Sequence, residues 1–297
     1  MNNSPVKFTH LDKIFWPKEG YTKGDLIEYY DKIAPVILPY LKDRPENMNR
    51  HPDGIYGENF YHKNFNYHQP EWLKSQMIHS DSEDKMINYL LCQNQETLLY
   101  MANLACIEIN PWNSRVTKLD YPDYLILDID PGDVPWREVI KTALATKKIL
   151  DDLKIKGYPK TSGATGLHIY VPLGANYHYD QVKDFAHLLE ILVNKNLPET
   201  TSLERSPKKR PDKTYLDYLQ NRLGQTLAAP YSLRPRPGAP VSTPLKWGEV
   251  NNRLNPLKFN LKTIHQRLKK VGDLWRPVLG KGINLEAGVK KIEKLVK

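Results

Sequence analysis

The chain has 297 residues, enough for one large domain or two small ones. Hydrophobic residues make up 40% and charged residues 26%, a soluble globular composition that excludes a disordered chain. No run of about 18 apolar residues exists, which excludes a membrane-spanning helix, and the start MNNSPVKF lacks the apolar stretch of a secretory signal. The two cysteines, Cys92 and Cys106, exclude a disulfide scaffold and a cysteine-based zinc site, so the expected compartment is a reducing cytoplasm. A net charge of +9 points to a polyanionic partner, nucleic acid first.

In chain order, Thr22-Lys23-Gly24-Asp25 precedes Leu26, Ile27, Tyr30 and Ile33, an apolar set near helical spacing. Asn94 is placed to cap a helix through QETLLYMANLA, with Glu96 in its first turn. Tyr124–Asp130 (YLILDID) reads as a strand, Val139–Leu153 as a helix, and Leu167–Leu173 as a strand after a Gly-containing turn. Asp180 is the expected cap of a helix carrying Val182, Phe185, Leu189 and Leu192, and Tyr215–Leu219 (YLDYL) reads as a further strand. The stretch Pro230–Pro244 cannot form a long helix and reads as an extended, Arg-bearing segment. Ile264, Leu268 and Val271 form one helical stripe, and a basic helix near Leu285–Val296 closes the chain. The expected architecture is mixed helix and strand around a central sheet, with an N-terminal subregion packed on it.

The richest segment is Leu127-Asp128-Ile129-Asp130-Pro131-Gly132. Side chains alternate along a strand, so Asp128 and Asp130 share a face while Leu127 and Ile129 enter the core. Two carboxylates about 7 Å apart along a strand repel each other, and a divalent cation between them removes the repulsion. Asp217, flanked by apolar and aromatic residues, is a candidate third ligand that completes a two-metal site. Solvated acids at a strand end, and an exposed edge-strand aspartate at 217, are the alternatives.

Thr161-Ser162-Gly163-Ala164-Thr165-Gly166-Leu167-His168 is a turn whose N–H groups suit a phosphate, with Ser162 and His168 as side-chain donors; a turn that only reverses the chain, with a structural histidine, is the alternative. It is not a Walker loop, because no Gly-Lys-Ser/Thr follows. Lys208-Lys209-Arg210 precedes the Asp217 segment, and Arg234 and Arg236 lie in the Pro-rich stretch. Phe60-Tyr61-His62-Lys63 interleaves aromatic rings with charge, a pattern on which bases stack while Lys63 reaches a phosphate; a strand with Phe60 buried is the alternative. Lys13 and Lys23 flank a loop that, if folded back, brings them to one phosphate group; two ordinary surface lysines are the alternative.

Taken together, LDKIFWPKEGYTKGDLIEYY, RHPDGIY, CIEINPW, YLILDIDPGD, TSGATGLHIYVPL, YLDYLQN and APYSLRPRPGAPVSTPL resemble, in family order and over nearly the whole chain, the polymerase domain of bacterial ligase D. That family is the end-joining branch of the archaeo-eukaryotic primase superfamily. The resemblance implies an α+β fold, a primase-like catalytic core of about 116–297 with an N-terminal subregion of about 1–115 packed on it. It implies template-dependent addition of nucleotides to DNA ends in non-homologous end joining, by a two-metal mechanism on NTP or dNTP. By motif position, Asp128, Asp130 and Asp217 match the metal-binding catalytic acids. Ser162, Gly163, His168 and Arg234 fall where the family holds the triphosphate. Lys13 and Lys23 match the pair that binds a 5′-phosphate at an end or gap, Phe60 and Tyr61 an aromatic pair that meets the template, with Lys63 beside them, and Arg210 an active-site arginine. Manganese or magnesium, Ku, a DNA ligase and a nucleoid-associated cytoplasmic location are what the family implies.

Two departures stand out. Asn110 replaces a common His after Glu108, and Thr165 replaces a common Lys in the Gly turn, each removing a charge from the phosphate side. No Lys-x-Asp-Gly nucleotidyl-lysine motif occurs, so a free-standing polymerase or an excised domain is expected. The competing functions are a primase that starts chains de novo, a non-catalytic DNA-end-binding module, and a metal-dependent nuclease.

Overall fold

The structure, a computed structural model, describes residues 5–66, 70–81 and 83–296. The chain divides into two compact units. The first contains Met1–Thr117, Thr226–Ser242 and Leu257–Gly272; the second contains Lys118–Gln225, Thr243–Pro256 and Asp273–Lys297. The residues of the expected core, about 116–297, are shared between the two units, because most of the Pro-rich segment, up to Ser242, and the helix within Leu257–Gly272 group with the first.

The first unit runs β1 (Ile14–Trp16), β2 (Tyr21–Thr22), α1 (Lys23–Leu41), β3 (Glu46–Arg50), β4 (Phe60–His62), β5 (Lys74–Ser80), β6 (Lys85–Leu91), α2 (Gln95–Asn103), β7 (Cys106–Pro111) and β8 (Ser114–Arg115). Helix α1 starts where its sequence demands. Thr22 and Asp25 form a reciprocal capping box, with the Thr22 hydroxyl accepting from the Asp25 N–H and the Asp25 carboxylate from the Thr22 N–H. Asn94 caps α2 through the Thr97 N–H, 2.9 Å away. Strand β3 lies between β4 and β7 in an antiparallel three-stranded sheet. The Pro-rich segment is non-helical, as its prolines require, and is tied to α1: the Tyr29 hydroxyl donates to the Tyr231 carbonyl at 2.7 Å. Helix α5 (Ile264–Val271) also belongs to this unit, with only Ile264 of its stripe fully buried.

The second unit runs β9 (Lys118–Pro122), β10 (Tyr124–Asp130), α3 (Trp136–Asp152), β11 (Tyr158–Thr161), β12 (Leu167–Pro172), α4 (Tyr179–Asn196), β13 (Thr201–Ser202), β14 (Thr214–Leu216) and α6 (Leu285–Val296). Five strands form one sheet in the order β11-β12-β10-β14-β13, antiparallel except for the β13–β14 pair. Leu125, Leu127 and Ile129 of β10 face the same way as Leu167, Ile169 and Val171 of β12, and all six are buried. Helix α3 meets this face, for Leu150 and Ile169 close over Gly157 so tightly that a side chain there would strike both. The opposite face carries Ile126, Asp128 and Asp130 with Lys160, His168 and Tyr170.

Two local expectations are corrected. Helix α4 begins at Tyr179 with His178 as its N-cap residue, so Asp180 sits inside the first turn rather than capping it. Strand β14 ends at Leu216, and Tyr218–Asn221 is a 3-10 turn. The cause lies in two side chains. Asp217 caps that turn by accepting from the Leu219 N–H at 3.1 Å. Asn221 then presents its amide to β10 where β14 has stopped, with its oxygen taking the Ile126 N–H at 2.8 Å and its nitrogen donating to the Ile126 carbonyl at 2.8 Å. No helix among the described residues is long and apolar enough to cross a membrane.

The Asn221 amide stands in for a strand against buried backbone. Asn221→Ala leaves the Ile126 N–H and C=O unpaired, and urea denaturation is expected to show a loss of about 2–3 kcal/mol with an unchanged m-value. A loss below about 0.5 kcal/mol would mean that water or a neighbour replaces it.

Candidate active site

In the second unit the site is built on the end of β10. Asp128 is largely covered and Asp130 is exposed. Strand β14 pairs Leu216 with Ile129 and Tyr215 with Asp130, so one further step sets Asp217 opposite Asp128. The Asp217 N–H donates to the Asp128 carbonyl at 3.1 Å, which holds that step. Residues directly opposite across a ladder share a face, so all three acids lie on one side of the sheet.

Each carboxylate has local partners. Asp217 accepts from the Tyr215 hydroxyl at 3.1 Å through Oδ1, and its Oδ2 lies 3.3 Å from Gln220 Nε2. Asp130 accepts from the Gly132 N–H at 3.3 Å. Asp128 Oδ1 lies 3.4 Å from His168 Nε2, the two being cross-strand partners. Among the described residues no three His, Cys, Asp or Glu side chains are gathered as a metal-holding cluster. The three acids thus share a face without being drawn onto one point. Their chemistry, hard carboxylate oxygens on neighbouring backbone positions, fits a divalent cation.

The Gly turn closes against the same strand end. Gly163 has φ +76°, and a Cβ on Gly166 would stand 2.5 Å from the Ile129 carbonyl oxygen, so only glycine allows the turn to lie there. The Ser162 hydroxyl accepts from the Ala164 N–H at 3.0 Å and the Gly166 N–H at 2.9 Å. Those two N–H groups therefore hold the turn shut instead of standing out as a phosphate cradle. Ser162 and His168 are both buried, and Thr165 is exposed at the tip. Arg210 is buried with its guanidinium 4.5 Å from the centre of the Tyr215 ring and against Gly132 of the acid turn.

Sequence reasoning passed over two groups of this unit. Lys160 is fully buried and pairs across the ladder with His168, giving the row Lys160–His168–Asp128. Glu190 of α4 is 1% exposed, its carboxyl pushed far up by burial and then by the charges of Asp217 and Asp128, with the Tyr218 N–H acting the other way. Its sequence signal is an acid on the buried stripe of Ala186, Leu189 and Val193.

The remaining candidates lie in the first unit. Arg234 pairs with buried Glu108, Nε to Oε2 at 3.0 Å. Asn110 is buried. Lys13 and Lys23 are brought together by the β1–β2 pairing, where the Lys23 N–H donates to the Lys13 carbonyl at 2.8 Å. The Lys23 ammonium is buried and donates to the Thr9 carbonyl at 2.7 Å; burial, then Lys13 and Arg50, hold it below the usual lysine range. Lys13 also pairs with Asp53 at 2.5 Å. Phe60 and Tyr61 are exposed, and His62 is the buried residue of β4, so the reading with Phe60 inside is excluded. Arg50 stacks over Phe60 at 5.0 Å, and burial followed by Glu108 raises the Tyr61 hydroxyl, with Arg234 opposing. Lys63 is engaged in an ion pair with Glu83, which Lys63 and Lys85 pull down to about 2.

The family model for the LigD primase-polymerase domain matches residues 22–275. The chain is 33% identical over 273 residues to the bifunctional non-homologous end joining protein LigD of Bacillus subtilis, covering 90% of this chain and 43% of that protein. It is 30% identical over 291 residues to the multifunctional LigD of Pseudomonas aeruginosa, covering 96% of this chain and 34% of that protein. The chain therefore spans less than half the length of these relatives. Among solved structures, the polymerase domain of Mycobacterium tuberculosis ligase D in complex with DNA superposes with a TM-score of 0.87 at 26% identity, covering 95% of this chain and all of that one. One sheet face with three acids, a glycine turn closed on its strand end and a match across most of the chain together place this protein in the LigD primase-polymerase domain family.

Proposed function

We propose that this chain adds nucleotides to DNA ends during non-homologous end joining, taking NTP or dNTP and releasing pyrophosphate. The observation that carries this reading is the β10–β14 register, which sets Asp217 opposite Asp128 with Asp130 on the same face. Asp128, Asp130 and Asp217 are the residues that would hold two divalent ions, manganese or magnesium. When bound, such ions supply charge neutralisation at the reacting phosphate and lower the pKa of the attacking hydroxyl. The residues do the rest. His168, fixed beside Asp128, donates to the triphosphate, and the Ser162 turn, rigid through its own hydrogen bonds, keeps that edge in place. Arg210, packed on Tyr215 beside the acid turn, offers a fixed cation to nucleic acid.

In the first unit, the Lys13–Lys23 pair with Arg50 is the proposed seat of a 5′-phosphate. An ammonium held low by burial, and then by two neighbouring cations, is relieved when an anion arrives. Phe60 and Tyr61 present exposed ring faces on which a template base can stack. Lys63 is the weaker member of this set, since Glu83 already neutralises it. Work alongside Ku and a DNA ligase follows as a proposal from the LigD relatives.

Two experiments test this. In primer extension with manganese and a labelled nucleotide, Asp128→Ala combined with Asp130→Ala is expected to lower kcat by at least about 1000-fold, the scale at which charge stabilisation of a transition state is lost. Activity that survives the pair of substitutions removes the metal assignment, and degradation of the primer in place of extension would indicate a nuclease. In a gapped-duplex binding assay, Lys13→Ala combined with Lys23→Ala is expected to abolish the preference for a 5′-phosphate. It should also reduce the slope of log affinity against log salt by about 1–2. Unchanged discrimination between phosphorylated and unphosphorylated gaps contradicts that seat.

A further inference from the structure

Glu190 has no role in the chemistry above, yet it is the acid most thoroughly removed from water near the catalytic face. Neither of its carboxylate oxygens makes a hydrogen bond of good geometry among the described residues. A buried acid left that way weakens a fold, and a leucine of similar volume on the same apolar stripe would strengthen it. Fold stability does not account for the residue, so its surroundings must.

Those surroundings belong to Asp217. On α4, His187, Glu190 and Asn194 follow at helical spacing and share a face. His187 stacks on the Tyr218 ring at 4.1 Å and 19°, on the first residue of the 3-10 turn. Asn194 donates to the Thr201 carbonyl at 2.9 Å, and Thr201 pairs with Thr214 at the start of β14. Helix α4 therefore grips the turn after Asp217 at one point and, through β13, the strand before it at another. Glu190 lies between these grips, and the backbone N–H of Tyr218, the residue next to Asp217, is the polar group that favours its carboxylate. Asp217 sits on a short stretch, because β14 is three residues long and the 3-10 turn begins immediately after it.

We propose that Glu190 is a positioning residue for Asp217: a carboxyl wedged under the Tyr218 turn that sets the direction in which the Asp217 carboxylate leaves the sheet. This inference rests on the metal-binding reading of the three acids and goes one layer beneath it. What the site requires at position 190 is the shape and hydrogen-bonding capacity of a carboxyl or amide, which leucine lacks.

The test uses the purified chain and reads manganese binding directly, by electron paramagnetic resonance of free Mn2+, alongside the manganese half-saturation and kcat in primer extension. Glu190→Leu is expected to keep or raise the urea midpoint while weakening Mn2+ binding about tenfold, the usual cost of removing an outer support of a ligand. Glu190→Gln, which keeps the shape and one acceptor, is expected to bind Mn2+ within about twofold of the parent on the same scale. His187→Ala, which removes only the stack on Tyr218, should shift Mn2+ binding in the same direction by about threefold, and it keeps the test decisive if the leucine variant does not fold. Unchanged Mn2+ binding in Glu190→Leu, or in His187→Ala where the leucine variant cannot be obtained, overturns the proposal, as does a glutamine variant as weak as the leucine one. Asp217→Ala separates the two levels. If it leaves Mn2+ binding unchanged, the metal reading itself is at fault; if it abolishes binding that Glu190→Leu spares, only the role of Glu190 falls.

Discussion

The candidate site of this chain depends on one antiparallel register. Pairing Leu216 with Ile129 puts Asp217 across from Asp128, and a slip of one residue would turn Asp217 to the apolar face beside Leu127 and Ile129. That register is over-determined. Leu216 must face the core with Ile129, the Asp217 N–H reaches the Asp128 carbonyl, and the Asn221 amide locks onto Ile126 two residues further back along β10. The hydrophobic side of the sheet thus dictates that the acids share the other side. Folding energy and site geometry are two consequences of the same alternation.

The second constraint is the shortness of β14. A longer strand would carry Asp217 in mid-ladder with its backbone spent on pairing. Ending the strand at Leu216 lets Asp217 cap a 3-10 turn, with its carboxylate accepting from the Tyr215 hydroxyl and the Leu219 N–H. The Gly turn works the same way on the neighbouring side. Ser162 consumes two N–H groups to make the turn rigid, and Gly166 lets it lie against the Ile129 carbonyl. Both edges of the site are stiffened by their own side chains, which suits a reaction in which positioning and fixed charge do most of the work.

Much of this was legible in the sequence, for stated reasons. Period-two alternation in YLILDID predicts β10 with its boundaries and the shared face of Asp128 and Asp130. Thr22 and Asn94 announce their helices because a cap is a local event. The strand expected over Tyr215–Leu219 stops early because Asp217 and Asn221 compete for backbone groups through side-chain hydrogen bonds, a competition periodicity does not register. Asp180 is displaced as cap by His178 for a similar reason: the Gln181 side-chain oxygen takes the His178 N–H at 3.0 Å, which places His178 just outside the helix start. The return of the Pro-rich segment to the first unit, tied by Tyr29 to Tyr231, is a pairing over 202 residues that no local pattern encodes. Glu190 carried a signal, an acid on an apolar stripe, but its meaning depends on the Tyr218 turn above it. Within the candidate set, Lys13 and Lys23 meet through a backbone hydrogen bond that closes the loop between them, whereas the engagement of Lys63 by Glu83 depends on an ion pair across 20 residues of chain.

The central claim is that Asp128, Asp130 and Asp217 grip the same cations. Anomalous diffraction at the manganese edge, from crystals grown with Mn2+ and a non-hydrolysable nucleotide, tests it most directly. The account predicts peaks on the acid face of the sheet within ligating distance of all three carboxylates, with the triphosphate approaching His168. Peaks bound by Asp130 alone, or a manganese site that leaves Asp217 turned to Tyr215 and Leu219, would contradict it.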